Sequence, residues 1–297
     1  MRRRLSMVSG VLGLALSAAA GGAAASEMGA ADASSPSVGA DPARIEAFLE
    51  ASGVTEGLGV VLAALRQHPE QQLSADQLAS LSPDTREKFL AMFSDAVQQA
   101  FRLEVALPGA VASVQSDFDA KRFDAVQQQL ATPLLQRVTR AERESLKSLA
   151  ADPSNFSAFL TRLQRQPPTA QRLALIGREV EAMEAADPTR QRPAIVDSLD
   201  ALPGALEQAQ QLTVTAPSTG SFAYLSQVSP TLSSLYTYRD LSDAEMERYL
   251  QFLESDAGRW YARAGHQAII AAIQRASQEL QTHLTDFEAL QQAPAQP

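Results

Sequence analysis

A capped helix pair between Leu241 and Tyr261 is the sequence feature that most constrains the fold. Ser242 and Glu245 fit the S-x-x-E capping box, in which each side chain accepts a hydrogen bond from the other residue's backbone N–H. Apolar residues then recur at the spacing of one helix face, at Met246, Tyr249, Leu250 and Leu253. A second start at Ser255 follows. The pattern predicts a helix–turn–helix unit with two apolar stripes.

The same stretch resembles a known family. It combines the capped acidic turn, the aromatic pair Tyr249 and Phe252, and a small-residue break at Gly258 ahead of Trp260 and Tyr261. In this it is similar to the bacterial domain of unknown function numbered 2059, found in exported proteins of Gram-negative bacteria. The resemblance weakens on both sides of the stretch. It implies an α-helical fold and an envelope location, and it supplies no catalytic residues because the family has no established activity.

Residues 1–25 have the pattern of an export signal. Three arginines precede an apolar stretch, and Ala23-Ala24-Ala25 fits an A-x-A cleavage site. A retained membrane anchor is the competing interpretation, but the stretch is short and diluted by alanine, serine and glycine, which favours cleavage. We therefore expect a periplasmic protein, with secretion beyond the periplasm left open. Residues 26–40 and 291–297 have little to bury and predict a disordered leader and tail.

The charge balance argues against two classes of partner. The chain carries a formal net charge of −9, and cleavage after residue 25 would remove three arginines and no acid, leaving −12. Such a surface is poorly suited to nucleic acid or to anionic lipid. We expect no nucleic-acid partner and no integral membrane span after cleavage. The chain has no cysteine, which excludes disulfides, thiolate chemistry and a lipid-modified cysteine.

Composition favours an all-α fold. The chain is 45% hydrophobic but only 6% aromatic, and it is rich in strong helix formers. No stretch sustains the period-two alternation of a strand. Residues 41–81 predict N-terminal helices that begin at Asp41-Pro42 and break near Gly53. A stronger helix is predicted from Ser82 to about Ala106, stopped by Leu107-Pro108-Gly109.

An apparent duplication divides the remaining chain. Thr139 and Glu142 form a second T-x-x-E pattern, and Glu245 follows Glu142 at an offset of 103 residues. We therefore predict a helix over 133–138, a new helix start at Thr139, and two related helical repeats over 82–186 and 187–290. The second copy has about six extra residues around Tyr238. The predicted fold is an all-α multi-helix bundle built from these repeats.

No catalytic, cofactor-binding or metal-binding constellation stands out. The three histidines, His68, His266 and His283, have no helical metal-pair spacing, and no phosphate-binding or nucleophile motif occurs. We expect no cofactor and no metal. Tyr238, Trp260, Tyr261 and His266 form a candidate partner or ligand surface. A core role for the aromatic residues is the favoured alternative.

Three functions stay open on the sequence alone. The first is a non-enzymatic module that binds another envelope protein, which requires an exposed apolar patch. The second is a carrier of a small apolar ligand or lipid fragment, which requires a large dry pocket. The third is an acid-based hydrolase, which requires two acids, or an acid and His266, to converge in a cleft.

Overall fold

The all-α prediction is confirmed. The computed structural model describes residues 41–67, 69, 73, 82–152, 154–185, 202–215 and 229–292. This part of the chain contains twelve helices and no strand. The predicted export signal and leader, His68 and residues 293–297 lie outside the described residues. The last helix continues to Gln292, so residues 291 and 292 of the predicted tail belong to it.

The helices follow one another through short connections in most of the described chain. Their bounds are α1 Pro42–Ala51, α2 Val54–Gln67, α3 Pro83–Ala100, α4 Leu103–Ser116, α5 Ala120–Leu130, α6 Pro133–Ala151, α7 Ser154–Arg165, α8 Ala170–Ala185, α9 Leu202–Thr215, α10 Pro230–Thr237, α11 Asp243–Leu253 and α12 Asp256–Gln292.

The long helix α12 is the central helix on which several others pack. Its 37 residues extend for about 55 Å, and it packs most extensively on α4. Alanines at every fourth position of α12 are buried, at positions Ala264, Ala268, Ala272 and Ala276. On α4, a Cβ added at Gly109 would lie 2.6 Å from the carbonyl oxygen of Ala271. Small residues on both helices therefore allow their backbones to approach closely.

An aromatic cluster fixes the beginning of α12 to the N-terminal helices. Trp260 is 1% exposed, and its ring centroid lies 5.8 Å from that of Phe48 and 6.2 Å from that of Phe123. Its Nε1–H donates to the carbonyl oxygen of Asp117 at 3.0 Å. The indole is thus both buried and hydrogen-bonded, as a stable core position requires.

The predicted helix starts around Ser242 and Asp41 are confirmed. Ser242 accepts from the backbone N–H of Glu245 and donates its own N–H to the Glu245 carboxylate, which completes the capping box. Asp41 caps α1 ahead of Pro42. The chain then turns by 77° between α1 and α2 at Gly53, whose φ of +83° is costly for any residue with a side chain.

The predicted helix end at Leu107-Pro108-Gly109 is wrong. Helix α3 ends at Ala100, and the extended backbone of Arg102 starts a new helix, α4, which contains Pro108. Pro108 is the sixth residue of α4, so its missing N–H removes a single bond, to the Glu104 carbonyl, near the helix start. Packing of α4 against α12 outweighs that loss.

The predicted capping box at Thr139 and Glu142 is also wrong. Helix α6 runs unbroken from Pro133 and is capped by Thr132, whose hydroxyl accepts from the N–H of Leu135. Thr139 and Glu142 lie within the helix, where the backbone N–H groups already have partners. The repeat prediction depended on this second cap, and the structure does not confirm it, since one continuous α6 stands where the second copy has the separate helices α10 and α11.

Within the described residues, no single helix has both the length and the apolar character to cross a membrane. Only α1 and α2 counted together, as a pair bent by 77°, reach those limits.

Candidate functional site

A ladder of polar side chains joins α6 to the end of α10. The α6 residues are three positions apart, and their partners are three consecutive residues of the α10 end. The pairs are Glu142 with Tyr238 at 2.8 Å, Ser145 with Thr237 at 3.1 Å, and Ser148 with Tyr236 at 2.9 Å, measured between side-chain oxygens. Because three pairs must form together, the ladder fixes how α10 lies along α6.

Glu142 is the acid at the end of this ladder. Its Oε1 accepts one hydrogen bond from the Tyr238 hydroxyl and a second from the Tyr249 hydroxyl at 3.3 Å. Both tyrosines are buried, and their ring centroids are 5.7 Å apart. Burial raises the pKa of Glu142 to about 6, although the two hydroxyls partly oppose this shift by stabilising the carboxylate.

A second acid, more deeply buried than Glu142, lies behind Tyr238. Glu179, on α8, is 4% exposed, and the hydroxyls of Ser234 and Tyr238 lie near its carboxyl and partly oppose the effect of burial on its pKa. Its Oε2 has no hydrogen-bond partner among the described residues. Burial first, and then the nearby charge of Glu142, raise the pKa of Glu179 to about 7. Glu142, Tyr238 and Glu179 therefore form one coupled network.

Glu142 faces a cleft of about 260 Å³. The cleft lies between the α1–α2 turn, the first two turns of α2, α6, α11 and α12, with one residue from α8 at its edge. Its apolar lining comes from Val54, Val60, Leu146, Met183 and Ile269. Tyr249 and Tyr261 add aromatic surface, while Gly57 and Gly265 leave space that a side chain would occupy. The cleft is mainly apolar and has one carboxylate facing it from α6.

Charged groups at the side of the cleft neutralise one another. Glu56 forms ion pairs with Arg143, at 3.1 Å from Nε, and with Lys147, at 2.5 Å from Nζ. Arg143 also donates to the backbone carbonyl of Glu50 at 2.6 Å. The hydrogen bond from Lys147 is the main reason why the pKa of Glu56 is lowered. Arg143, although adjacent to Glu142 in the chain, is therefore engaged by other oxygens.

The four residues predicted as one partner or ligand surface are not brought together on the surface. Trp260 and Tyr238 are buried, which agrees with the core alternative for both. Tyr261 and His266 are half-buried and line the cleft together with Glu142. The surface prediction is wrong for Trp260 and Tyr238 because their polar atoms are used inside the bundle, by Asp117 and Glu142 respectively.

A second, smaller cavity of about 120 Å³ lies beside the start of α12. It is lined by three arginines, but Arg122 pairs with Asp256 at 2.8 Å and Arg263 pairs with Asp117 at 3.1 Å. Arg259 donates to the Glu254 carbonyl. The positive charge is therefore largely compensated, and the larger cleft is the better candidate site.

The sequence interpretation missed Glu142 and Glu179 as site residues. A signal for Glu142 was present, since it lies on the helix face that buries Leu135, Val138, Ser145 and Leu149. An acid at a core position of an amphipathic helix requires a partner or a function. The T-x-x-E pattern supplied a local explanation that obscured this periodicity.

Neither a metal site nor a known relative identifies the chemistry. Over the described ranges, no group of three His, Cys, Asp or Glu residues is arranged to hold a metal ion. The chain matches no protein-family model, no curated protein and no solved structure. The resemblance of residues 241–261 to the domain of unknown function stays a prediction.

Proposed function

We propose that this protein is an exported helical binding protein that holds a small, largely apolar molecule in the cleft facing Glu142. The observation that carries the proposal is the cleft itself, whose exposed lining surface is mainly apolar. Such a lining is typical of small-molecule sites. Export is part of the proposal because residues 1–25 have the pattern of a signal.

The size of the cleft sets the size of the molecule. An engineered apolar cavity of about 150 Å³ accommodates benzene, which has six heavy atoms. By proportion, the cleft of about 260 Å³ accommodates a molecule of about ten heavy atoms. This favours a small aromatic or branched aliphatic compound over a long lipid chain.

The other two functions expected from the sequence have less support. A protein-interaction module requires an exposed apolar patch, yet Met183, 37% exposed, is the only exposed large hydrophobic residue of the described chain, and it lies at the cleft. An acid-based hydrolase requires two groups at one reacting bond. Glu142 and His266 do line the same cleft, whereas Glu179, the second acid of the network, does not. The mainly apolar lining around them favours binding of an apolar molecule over hydrolysis.

Filling the cleft from α12 tests the proposal. A Cβ at Gly265 would lie 3.6 Å from Val54 Cγ2, an ordinary van der Waals contact, so Gly265→Ala and then Gly265→Leu should occupy the cleft in steps. A Cβ at Gly59, on α2, would contact nothing within 4 Å, and Gly59 does not line the cleft. Gly59→Ala and Gly59→Leu are therefore matched controls. Both alanine variants should be slightly stabilised, by up to about 1 kcal/mol, because alanine favours a helix over glycine.

Ligand-observed NMR supplies the assay. The wild type and the four variants are screened with neutral, cationic and anionic molecules of about ten heavy atoms. We expect at least one class to bind the wild type and both Gly59 variants, to bind Gly265→Ala more weakly, and to bind Gly265→Leu at least about tenfold more weakly. Binding by no class, or equal binding by Gly265→Leu, would overturn the proposal.

A further inference from the structure

We propose that the cleft selects an organic cation, a molecule of about ten heavy atoms whose ammonium group lies against Glu142 and whose apolar part lies on the cleft wall. This inference rests on the proposed function and adds the chemical class of the ligand. It depends on three features of the site: the negative charge of Glu142, the neutral hydroxyl groups that donate hydrogen bonds to its carboxylate, and the aromatic side of the cleft.

The carboxylate of Glu142 is held by neutral donors. Its two hydrogen bonds come from the hydroxyls of Tyr238 and Tyr249, at 2.8 and 3.3 Å. These bonds hold the carboxylate in place without adding a positive charge, and the guanidinium of Arg143 acts on Glu142 only through space, as a small influence that lowers its pKa. Although burial raises the pKa of Glu142 to about 6, the group is mostly ionised near pH 7.5.

The nearest basic residue along α6 is committed elsewhere. Arg143 forms its ion pair with Glu56 and donates to the Glu50 carbonyl, so those oxygens compete with Glu142 for its charge. A neutral ligand that filled the cleft would remove water from the carboxylate without compensating the charge. A cationic ligand would compensate it, and an anionic ligand would add repulsion.

The aromatic wall favours the same class. Tyr261, which is half-buried, lines the cleft with Glu142, and a ring face attracts a cation through its negative π surface. Tyr249 also borders the cleft but is only 1% exposed. The aliphatic lining from Val54, Leu146 and Ile269 accepts the apolar part of the ligand. A carboxylate, aromatic rings and an aliphatic wall together suit an amine with a hydrocarbon body.

Three isosteric probes separate charge from shape. Phenethylammonium, 2-phenylethanol and phenylacetate share an aromatic ring and a two-carbon arm or its near equivalent, and they carry a positive, zero and negative charge. Their dissociation constants are measured by isothermal titration calorimetry near pH 7.5. The salt concentration is kept fixed, because at low salt the net negative charge of the protein attracts any cation non-specifically. Phenethylammonium should bind about tenfold or more tightly than 2-phenylethanol, and phenylacetate should bind most weakly.

Glu142→Gln is the decisive variant. Glutamine keeps an oxygen that can accept from Tyr238 and Tyr249 but removes the charge. We expect the preference for phenethylammonium to disappear while 2-phenylethanol binds as before. Glu144→Gln removes the same charge from an exposed position of α6 that does not line the cleft, so it should preserve the preference. Circular dichroism and thermal melting establish that both variants fold.

Each alternative outcome has a distinct meaning. Equal binding of the cation and the alcohol, blocked by Gly265→Leu, overturns the charge selectivity and leaves the binding function intact. Tightest binding by phenylacetate, or a cation preference that survives in Glu142→Gln, also overturns the inference. If Gly265→Leu does not weaken the binding of phenethylammonium, the cation binds outside the cleft, and the inference is overturned as well. Absence of binding by all three probes, and by the wider screen, removes the proposed function itself.

Discussion

Raising the pH from about 5 to about 8 is expected to destabilise the folded protein, because two carboxyls with raised pKa values must lose their protons. Burial, with the charge of Glu142 as a smaller cause, raises the pKa of Glu179 from 4.5 to about 7, and removal from water raises that of Glu142 to about 6. Below pH 4.5 each carboxyl is protonated in the folded and unfolded states alike. Between pH 4.5 and 7 the folded state keeps protons that the unfolded state has lost, so the free energy of unfolding falls as the pH rises.

The structure sets the size of this loss. Each pKa unit corresponds to about 1.4 kcal/mol, so the change of Glu179 from 4.5 to about 7 amounts to about 3 kcal/mol. Glu142 contributes to the same coupled titration and is not added separately. Burial raises the pKa of Tyr238 and Tyr249 well above 10, so both stay neutral over this range. The carboxyls of Glu56 and Glu245 have lowered pKa values and titrate below it.

Urea denaturation followed by circular dichroism at several pH values between about 5 and 8 measures the effect. The wild type should lose about 2.5 kcal/mol of unfolding free energy across this range, since a small part of the change occurs below pH 5. Glu179→Gln, which keeps the shape but not the charge, should lose less than half as much and should be the more stable protein at pH 8. Glu181→Gln, at an exposed position of the same helix, should follow the wild type. A wild-type profile that is flat or rises, or a Glu179→Gln profile with an unchanged slope, would refute the reasoning.

Two further predictions concern the turn region around α11. Ser242→Ala and Glu245→Ala each remove one half of the capping box. Together they should lower the free energy of unfolding by about 1–2 kcal/mol without altering binding at the cleft. A loss of binding at an unchanged melting temperature would contradict a purely structural role. Gly258→Ala would place a Cβ 1.9 Å from the carbonyl oxygen of Phe252, so the α11–α12 turn must move, at a cost of about 3 kcal/mol or more in chemical denaturation. Gly177→Ala, where a Cβ would contact nothing within 4 Å, is its control, and equal stability of the two variants would contradict the steric argument.

Local signals explain the part of the fold that the sequence predicts well. The capping box at Ser242, the start at Asp41-Pro42 and the apolar stripe of α11 each depend on residues within one or two helix turns. The same local logic failed at Thr139 and Glu142, because a T-x-x-E pattern inside a continuous helix is identical in sequence to one at a helix start. The hydrogen-bond partners of Glu142 in the structure distinguish a helix-interior T-x-x-E pattern from a capping box.

Those partners are remote in the chain, which is why the site was not predicted. Tyr238 and Tyr249 follow Glu142 by 96 and 107 residues, and the cleft adds groups from the α1–α2 turn and from α12. Helical periodicity gives the buried face of each helix but not which faces meet. Of the four residues predicted as a surface, Tyr261 and His266 do reach the cleft, because they lie on the same side of α12 as Gly265 and Ile269.

Native mass spectrometry of the protein isolated from the organism that makes it tests the binding function most directly. We expect an extra small-molecule mass that leaves on denaturation, that Gly59→Leu retains and that Gly265→Leu loses. A bare mass for the wild type, or an extra mass that Gly265→Leu retains, would contradict the account and turn attention to a protein partner.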